Sequence, residues 1–207
     1  MAKSYPSETG ILAVSQGLQI LGGYGYCQEF PLEQYYRDIR IHPIHEGTTG
    51  IQALDLLGRK VVMKDGQALR LYFEEVHATI QSATPYEELT PYAERLKEAL
   101  ERLQTATTHR VQFAMQGDVE KFLADATLYL ELFGVIAVAW QWLIQGVVAQ
   151  RGLEADCSAL DKQFYEGKLH TMRYFFHYEV PKTYGLASRL MESDGLTVDM
   201  SSAIFDD

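Results

Sequence analysis

The sequence predicts an all-α fold, a helical bundle, from three observations. Apolar residues recur three and four positions apart through most of the 207 residues, as on one face of a helix. Runs that alternate apolar and polar residues, which would predict strands, are almost absent. Ser, Thr and Asp precede several of the helical runs, and these residues favour helix N-termini.

The first part, residues 1–83, predicts helices separated by Gly and Pro. One helix is expected to end at Gly22-Gly23, and Pro43 is expected to interrupt the next helical stretch. Thr49 and Gln52 have the spacing of a capping box, which predicts the start of another helix. We expect Asp65-Gly66 to interrupt that helix.

The second part, residues 84–207, predicts three long helices. It follows a segment with two prolines, ATPYEELTP at 83–91, which indicates a linker. Asp118 is expected to begin the second long helix, and Ser158 with Asp161 forms a capping box for the third. We therefore predict two domains, 1–83 and 84–207, with a sparsely anchored tail from about Ser193.

One apolar stretch is close to the length of a membrane span. Residues 132–150 contain no charged side chain over 19 positions. Three glutamines interrupt the stretch, and Glu131 and Arg151 bound it closely. These features favour a buried central helix over a membrane span.

Charge and cysteine content narrow the class of protein. The formal charge is −10, which repels phosphate backbones and disfavours nucleic-acid binding. Cys27 and Cys157 form neither a zinc-binding spacing nor a disulfide framework. Together with an N-terminus that shows no signal peptide, this predicts a reduced, cytoplasmic location.

The candidate functional residues lie within 19–52, a segment dense in Gly, aromatic and charged residues. Its glycines do not form a dinucleotide-binding motif, because Gln28 stands where the third glycine is needed and no strand precedes them. His42, His45 and Glu46 superficially suggest a metal site, but Pro43 disfavours the regular helix that would bring the histidines together. No metal is predicted, and Glu46 could be either a surface residue or a functional carboxylate.

The segment QILGGYGY followed by RDIRIHPIHEGTTGIQALDLLGRK resembles the C-terminal helical domain of the flavin-dependent acyl-CoA dehydrogenases. That family carries a Gln-x-x-Gly-Gly-x-Gly turn, then an Arg-Asp pair, then an aromatic-Glu-Gly-Thr box. The later segment YEGKLHTMRYFFHYEVPKT is similar to the helical domain appended in an extended subfamily, which includes dehydrogenases acting on methylmercaptopropionyl-CoA. The resemblance covers essentially the whole chain.

This resemblance implies roles for individual residues. Glu46 matches the catalytic base, which takes the proton α to the thioester while the β carbon gives hydride to FAD. Thr48 matches a residue that touches the flavin cofactor. Gln19, Gly22 and Gly23 match the turn that reaches the adenine end of a neighbouring subunit's FAD. Arg37 and Asp38 match a structural pair, for which we expect ion pairs to other elements and no chemistry.

The chain also departs from the family. His45 replaces the Tyr that often precedes the base, and the domains that supply most of the flavin and acyl-CoA pocket are not in this sequence. We therefore expect a C-terminal piece or split gene product that is inactive by itself, lacks FAD, forms a homo-oligomer and needs the missing domains or a partner chain. The alternative is a non-catalytic helical module for assembly or partner binding, derived from that family.

Overall fold

The all-α prediction is confirmed. A computed structural model describes residues 1–204, and no strand occurs among them. The helices are α1 (Ser4–Leu21), α2 (Leu32–Arg40), α3 (Thr49–Asp55), α4 (Met63–Ala83), α5 (Thr90–Met115), α6 (Val119–Leu123), α7 (Ala126–Glu154), α8 (Ala159–Tyr178) and α9 (Lys182–Leu190). Tighter or wider helical turns lie at Gly22–Tyr26, Leu56–Lys60, Glu87–Leu89 and Ser202–Ile204.

Helix α7 is the centre of the core. It packs against α8, α9 and α5, and on another side against α3 and α4. Its buried residues include the five successive positions 132–136, which point to all sides of the helix, as expected for a core helix that is apolar all round. The stretch Val119–Glu154 is the one helical stretch within residues 1–204 that is long and apolar enough to cross a membrane, yet more than half of its most apolar window is buried inside the chain.

The start predicted for this long helix is wrong. Asp118 caps only the short α6, where its carboxylate accepts a hydrogen bond from the Lys121 backbone N–H. The helical chain breaks before Ala126, and Asp125 lies at the break with its carboxylate buried. Arg110 of α5 donates to that carboxylate at 2.6 Å, so Asp125 pairs with another helix at the position where a continuous helix was predicted.

The expected interruption at Asp65-Gly66 is confirmed. Lys64, Asp65 and Gly66 all have positive φ, so the chain makes a left-handed turn near the start of α4. The predicted linker is also largely helical: Leu89 within it is buried, and α5 begins at Thr90. The division of the chain at 83/84 stays a prediction.

A buried ion pair anchors the region after α9. Arg110 is almost fully buried, and it donates to the Lys121 carbonyl as well as to Asp125. Arg189 of α9 lies 3.7 Å from the same Asp125 carboxylate and donates to Asp194 through both terminal nitrogens, at 2.7 and 3.1 Å. The segment after Leu190, expected to be a tail, is thus tied to the bundle at Asp194, and residues 205–207 lie outside the described residues.

Candidate active-site loop and glycine turn

Glu46 lies at the tip of the loop between α2 and α3. Its side chain is 84% exposed, and its carboxylate comes within 3.8 Å of the His45 ring nitrogen Nδ1. Its φ is 54° and that of Gly47 is 91°, so two successive residues are left-handed. Only the first of them carries a side chain that makes this conformation costly, and such strain concentrates at functional sites.

The loop is fixed by the N-terminal end of α1. The Lys3 ammonium donates to the carbonyl oxygens of His45 at 2.8 Å and Gly47 at 2.6 Å. These two carbonyls flank Glu46 in the chain, so Lys3 holds the backbone on both sides of the carboxylate. Charge-assisted hydrogen bonds of this kind are among the stronger ones in proteins.

Two further contacts join α1 to the start of α3. Thr49 donates its hydroxyl to the Glu8 carboxylate at 2.5 Å, and Ser4 donates to the side-chain carbonyl of Gln52. The capping box predicted from Thr49 and Gln52 is therefore wrong. Thr48 is the N-cap, because its backbone is extended and its hydroxyl oxygen accepts from the Ile51 N–H, while Thr49 and Gln52 bind α1.

The glycine turn lies at the other end of α1. Gly22 has φ +58° and closes the helix by donating its N–H to the Gln19 carbonyl. Gln19, Gly22 and Gly23 are exposed, and no atom lies within 4 Å of where a Cβ would be on either glycine. Gly25 differs: it is buried, and a Cβ there would lie 2.6 Å from the Leu18 carbonyl oxygen.

The candidate residues therefore form two groups. Glu46 and Thr48 share the loop that contacts Lys3 at the start of α1, whereas Gln19 lies 15 positions after Ser4 and is followed by Gly22 and Gly23. At the rise of an α-helix this separates the groups by about 22 Å. The structure brings each group together but does not bring the two groups to one point.

Arg37, His42 and His45 have local partners, whereas Asp38 forms no ion pair within residues 1–204. Arg37 pairs with Glu33 one turn earlier in α2, so the expected ion pairs to other elements are not found for it in residues 1–204. His42 and His45 pair through ring nitrogens 3.1 Å apart. In the described part of the chain no three His, Cys, Asp or Glu residues form a group able to hold a metal ion.

Two family profiles together match nearly the whole chain. The profile "Acyl-CoA dehydrogenase, C-terminal domain" matches residues 1–62, and "Acetyl-CoA dehydrogenase C-terminal like" matches residues 72–201. The chain belongs to the acyl-CoA dehydrogenase family. Both candidate groups, Glu46 with Thr48 and Gln19 with the glycines, lie within the first match.

Similar acyl-CoA dehydrogenases come from several bacteria. The 3-methylmercaptopropionyl-CoA dehydrogenase of Ruegeria pomeroyi is 34% identical over 84% of this chain and 29% of its own length. The broad-specificity linear acyl-CoA dehydrogenase FadE5 of Mycobacterium tuberculosis is 32% identical over 84% of this chain and 30% of its own length. The chain thus spans about 30% of the length of these curated relatives.

A shorter match is more similar. The rat mitochondrial short-chain specific acyl-CoA dehydrogenase is 52% identical over 58 residues, which is 28% of this chain. The identity over these few residues exceeds that over the longer alignments.

Sequence reasoning missed Lys3 and did not distinguish Gly25 from the other glycines of the turn. Nothing local marks Lys3, because its partners are 42 and 44 positions away. The signal for Gly25 was present in the density of glycines after α1, but only the fold shows that it is the one pressed against backbone.

Proposed function

We propose that this acyl-CoA dehydrogenase chain is the C-terminal part of an FAD-dependent enzyme that introduces a double bond between the α and β carbons of an acyl-CoA thioester. The observation that carries the proposal is the Glu46 loop. A single carboxylate is presented on a left-handed backbone whose flanking carbonyls are both tied to Lys3. A surface residue without a role needs neither a strained, left-handed backbone nor hydrogen bonds that hold its neighbours in place.

Glu46 is the general base of this proposal. Its carboxylate removes the weakly acidic proton on the carbon α to the thioester carbonyl, and the carboxylic acid formed keeps that proton. A base must reach its proton at hydrogen-bond distance, and an exposed carboxylate on a fixed loop can meet a substrate delivered from outside this chain. FAD, when bound, supplies the acceptor for the hydride that leaves the β carbon.

Four further residues are proposed to hold the cofactor. Thr48 uses its hydroxyl oxygen to cap α3, which leaves its hydroxyl hydrogen available to a ligand. The exposed Gln19 amide and the open surface over Gly22 and Gly23 fit a flat ring stacked against backbone. Because about 22 Å of helix separates the two groups, we propose that they contact different FAD molecules, the second belonging to a neighbouring subunit.

The isolated chain is proposed to be inactive and to bind FAD weakly. Glu46 is 84% exposed, whereas efficient proton transfer and cofactor binding both need an enclosed pocket. We propose that the missing dehydrogenase domains, or a partner chain, build that pocket in the cytoplasm, and that the complete enzyme is a homo-oligomer. Neither nucleic acid nor a membrane has a part in this proposal.

Exposed apolar residues support the need for further domains. Several large ones lie on and around the two candidate groups: Ile20, Tyr24, Tyr26, Ile44, Ile51 and Leu54. Ile20, Tyr24 and Tyr26 lie by the glycine turn, and the other three lie by the Glu46 loop. Clusters of exposed apolar residues are typical of interfaces with other domains or chains.

The test is reconstitution. The chain is fused to, or co-expressed with, the N-terminal domains of the Ruegeria relative, and activity is measured with a panel of acyl-CoA thioesters and an artificial electron acceptor. We expect flavin absorbance and dehydrogenation from the completed protein and neither from the chain alone. A completed, folded protein that binds no flavin would favour the non-catalytic module, for which the exposed position of Glu46 is the supporting observation.

A further inference from the structure

Helix α8 carries an exposed apolar stripe that nothing in residues 1–204 covers. Its large members are between 54% and 76% exposed. Leu160, Phe164, Gly167, Thr171, Tyr174 and Tyr178 make up the stripe, which we call the α8 seam. At 3.6 residues per turn all six lie within about 40° of one line along the helix. None is charged, although the chain carries a formal charge of −10.

The spacing in the α8 seam is that of a coiled coil. Successive members are four, three, four, three and four residues apart, which is the alternation of the a and d positions of a heptad. The opposite face of α8, with Leu169, Met172 and Phe176, packs into the core of the chain. The helix therefore presents a second packing face, and that face points outward.

This alternation of spacings makes the α8 seam symmetric about its middle. Its members lie two, five and nine residues before and after Leu169. If two copies of α8 pack antiparallel about this point, Phe164 of one meets Tyr174 of the other and Leu160 meets Tyr178. Such pairing of a positions with d positions is what an antiparallel pair requires, and an isologous two-fold contact requires each pairing to occur twice.

The centre of the α8 seam allows close approach. No atom lies within 4 Å of where a Cβ would be on Gly167. Thr171 donates its hydroxyl to the Gly167 carbonyl at 3.0 Å, so its hydrogen-bonding need is met within the helix. Small residues at the centre and aromatic residues at both ends form a surface that is complementary to itself.

We propose that the α8 seam is a contact between two copies of this chain, with the two α8 helices antiparallel and the two-fold axis crossing the seam midway between Gly167 and Thr171. The contact is independent of the proposed dehydrogenase chemistry. Lys168 is a charged residue beside the centre of the seam, and its ammonium group contacts its own chain. It donates to Gln145 of α7 at 3.1 Å and lies over the rings of Trp142 and Phe164.

The exposed area sets the strength of the contact. Phe164, Tyr174 and Tyr178 are 59%, 54% and 65% exposed. At about 200 Å² for each aromatic side chain they offer roughly 350 Å², to which Leu160 adds. A standard stable interface buries about 800 Å² on each partner. The α8 seam alone therefore gives a weak dimer, which a second contact elsewhere on the chain would strengthen.

A matched pair of glycine variants tests the surface. Gly167→Arg places a long charged side chain at the centre of the seam. Gly185→Arg places the same side chain at an exposed position of α9, outside the seam, where a Cβ also meets nothing within 4 Å. Arginine is the better helix former, so both variants keep the fold. Sedimentation velocity at high micromolar concentration should show self-association weakened at least about tenfold by Gly167→Arg and unchanged by Gly185→Arg. Equal behaviour of the two variants, or a monomeric wild-type chain, overturns the proposal.

Cysteine cross-linking tests the direction of the helices. In a background with Cys27→Ser and Cys157→Ser, copies carrying Gly167→Cys are mixed with copies carrying Thr171→Cys and oxidised. The antiparallel pair places residues 167 and 171 of different copies face to face, within the reach of a disulfide. We expect the disulfide between one Gly167→Cys copy and one Thr171→Cys copy to form faster than a disulfide between two identical copies. It should also form faster than the disulfide between Glu166→Cys and Arg173→Cys copies, whose cysteines lie outside the seam. Faster cross-linking between identical copies would indicate parallel helices. Equal rates for all combinations would indicate that something other than a second copy covers the seam, and either result overturns the proposal.

Discussion

Lys3 donates a hydrogen bond to the carbonyl oxygen of Gly47 at 2.6 Å, although 44 positions separate the two residues in the chain. It donates a second hydrogen bond to the His45 carbonyl, so the residues on both sides of Glu46 are bound to Lys3. The orientation of the proposed base therefore depends on a side chain at the start of a different helix.

Replacing Lys3 tests this dependence. Lys3→Met keeps the length and apolar stem of the side chain but cannot donate to either carbonyl. We expect faster amide hydrogen exchange in residues 45–49 and little change in the core helix α7, because local contacts set local opening. The control is Lys162→Met, which changes an exposed lysine of α8. Equal exchange in the two variants would show that the loop does not need the tie.

Glu46→Gln should abolish dehydrogenation by the completed enzyme while leaving its fold and flavin content intact. An amide of nearly the same size cannot accept the α proton, and general-base catalysis contributes about 10²–10⁴-fold in rate. The assay uses acyl-CoA thioesters with an artificial electron acceptor, and Glu29→Gln in the exposed turn before α2 is the control. If Glu46→Gln keeps most of the activity while another carboxylate proves essential, the base assignment is wrong.

Two glycines of the same turn should respond differently to alanine. Gly25→Ala brings a Cβ to within 2.6 Å of the Leu18 carbonyl oxygen, which is backbone and cannot move aside cheaply. We expect it to destabilise the chain by about 1–3 kcal/mol, as overpacking commonly does. Gly23→Ala meets no atom within 4 Å and should leave the midpoint of urea unfolding unchanged. A loss of flavin from the completed enzyme on Gly23→Ala would then be a direct effect on binding.

Breaking the buried ion pair should be costly. Asp125→Ala leaves the almost fully buried Arg110 guanidinium without its carboxylate, and the Nε of Arg110 already has no partner within the described residues. Removing one partner of a buried pair typically costs about 3–5 kcal/mol. Asp55→Ala removes the half-buried partner of the exposed Arg59 and should cost much less, because Arg59 stays in contact with water. Urea unfolding of both variants, monitored by circular dichroism, measures the loss in the free energy of unfolding. Equal losses would contradict the burial of the Arg110–Asp125 pair.

Acid should release the segment after α9 only at very low pH. The hydrogen bonds from Arg189 and then from the Leu196 N–H hold the pKa of Asp194 down at about 2. Because the pKa is depressed in the folded state, the stabilisation is complete above the ordinary carboxyl pKa and is lost as the pH falls through about 2. Limited proteolysis by pepsin across this range measures the release. Asp194→Asn should open the segment at every pH, and protection that is unchanged in this variant would exclude the carboxylate as the anchor.

The sequence predicted the elements whose signals are local. The all-α class, the helix end at Gly22, the break at Asp65-Gly66 and the Ser158 cap all follow from residues within a few positions of one another. The break before Ala126 was missed because its cause is Arg110, which is 15 positions from Asp125. Thr49 and Gln52 have the spacing of a capping box, yet tertiary partners on α1 bind both of them. The functional roles of Glu46 and the glycine turn came from resemblance to a family, since composition and spacing left Glu46 open to a surface role.

Helix α1 connects the two candidate groups without a break, so its length sets the distance and the rotation between them. Each residue added to or removed from its middle would shift the glycine turn by about 1.5 Å along the axis and turn it by about 100° around the axis relative to the Glu46 loop. Point substitutions on the exposed side of α1 are therefore far easier to accommodate than any change in its residue count. The number of residues between Ser4 and Leu21 therefore determines how the Glu46 loop and the glycine turn are oriented relative to each other.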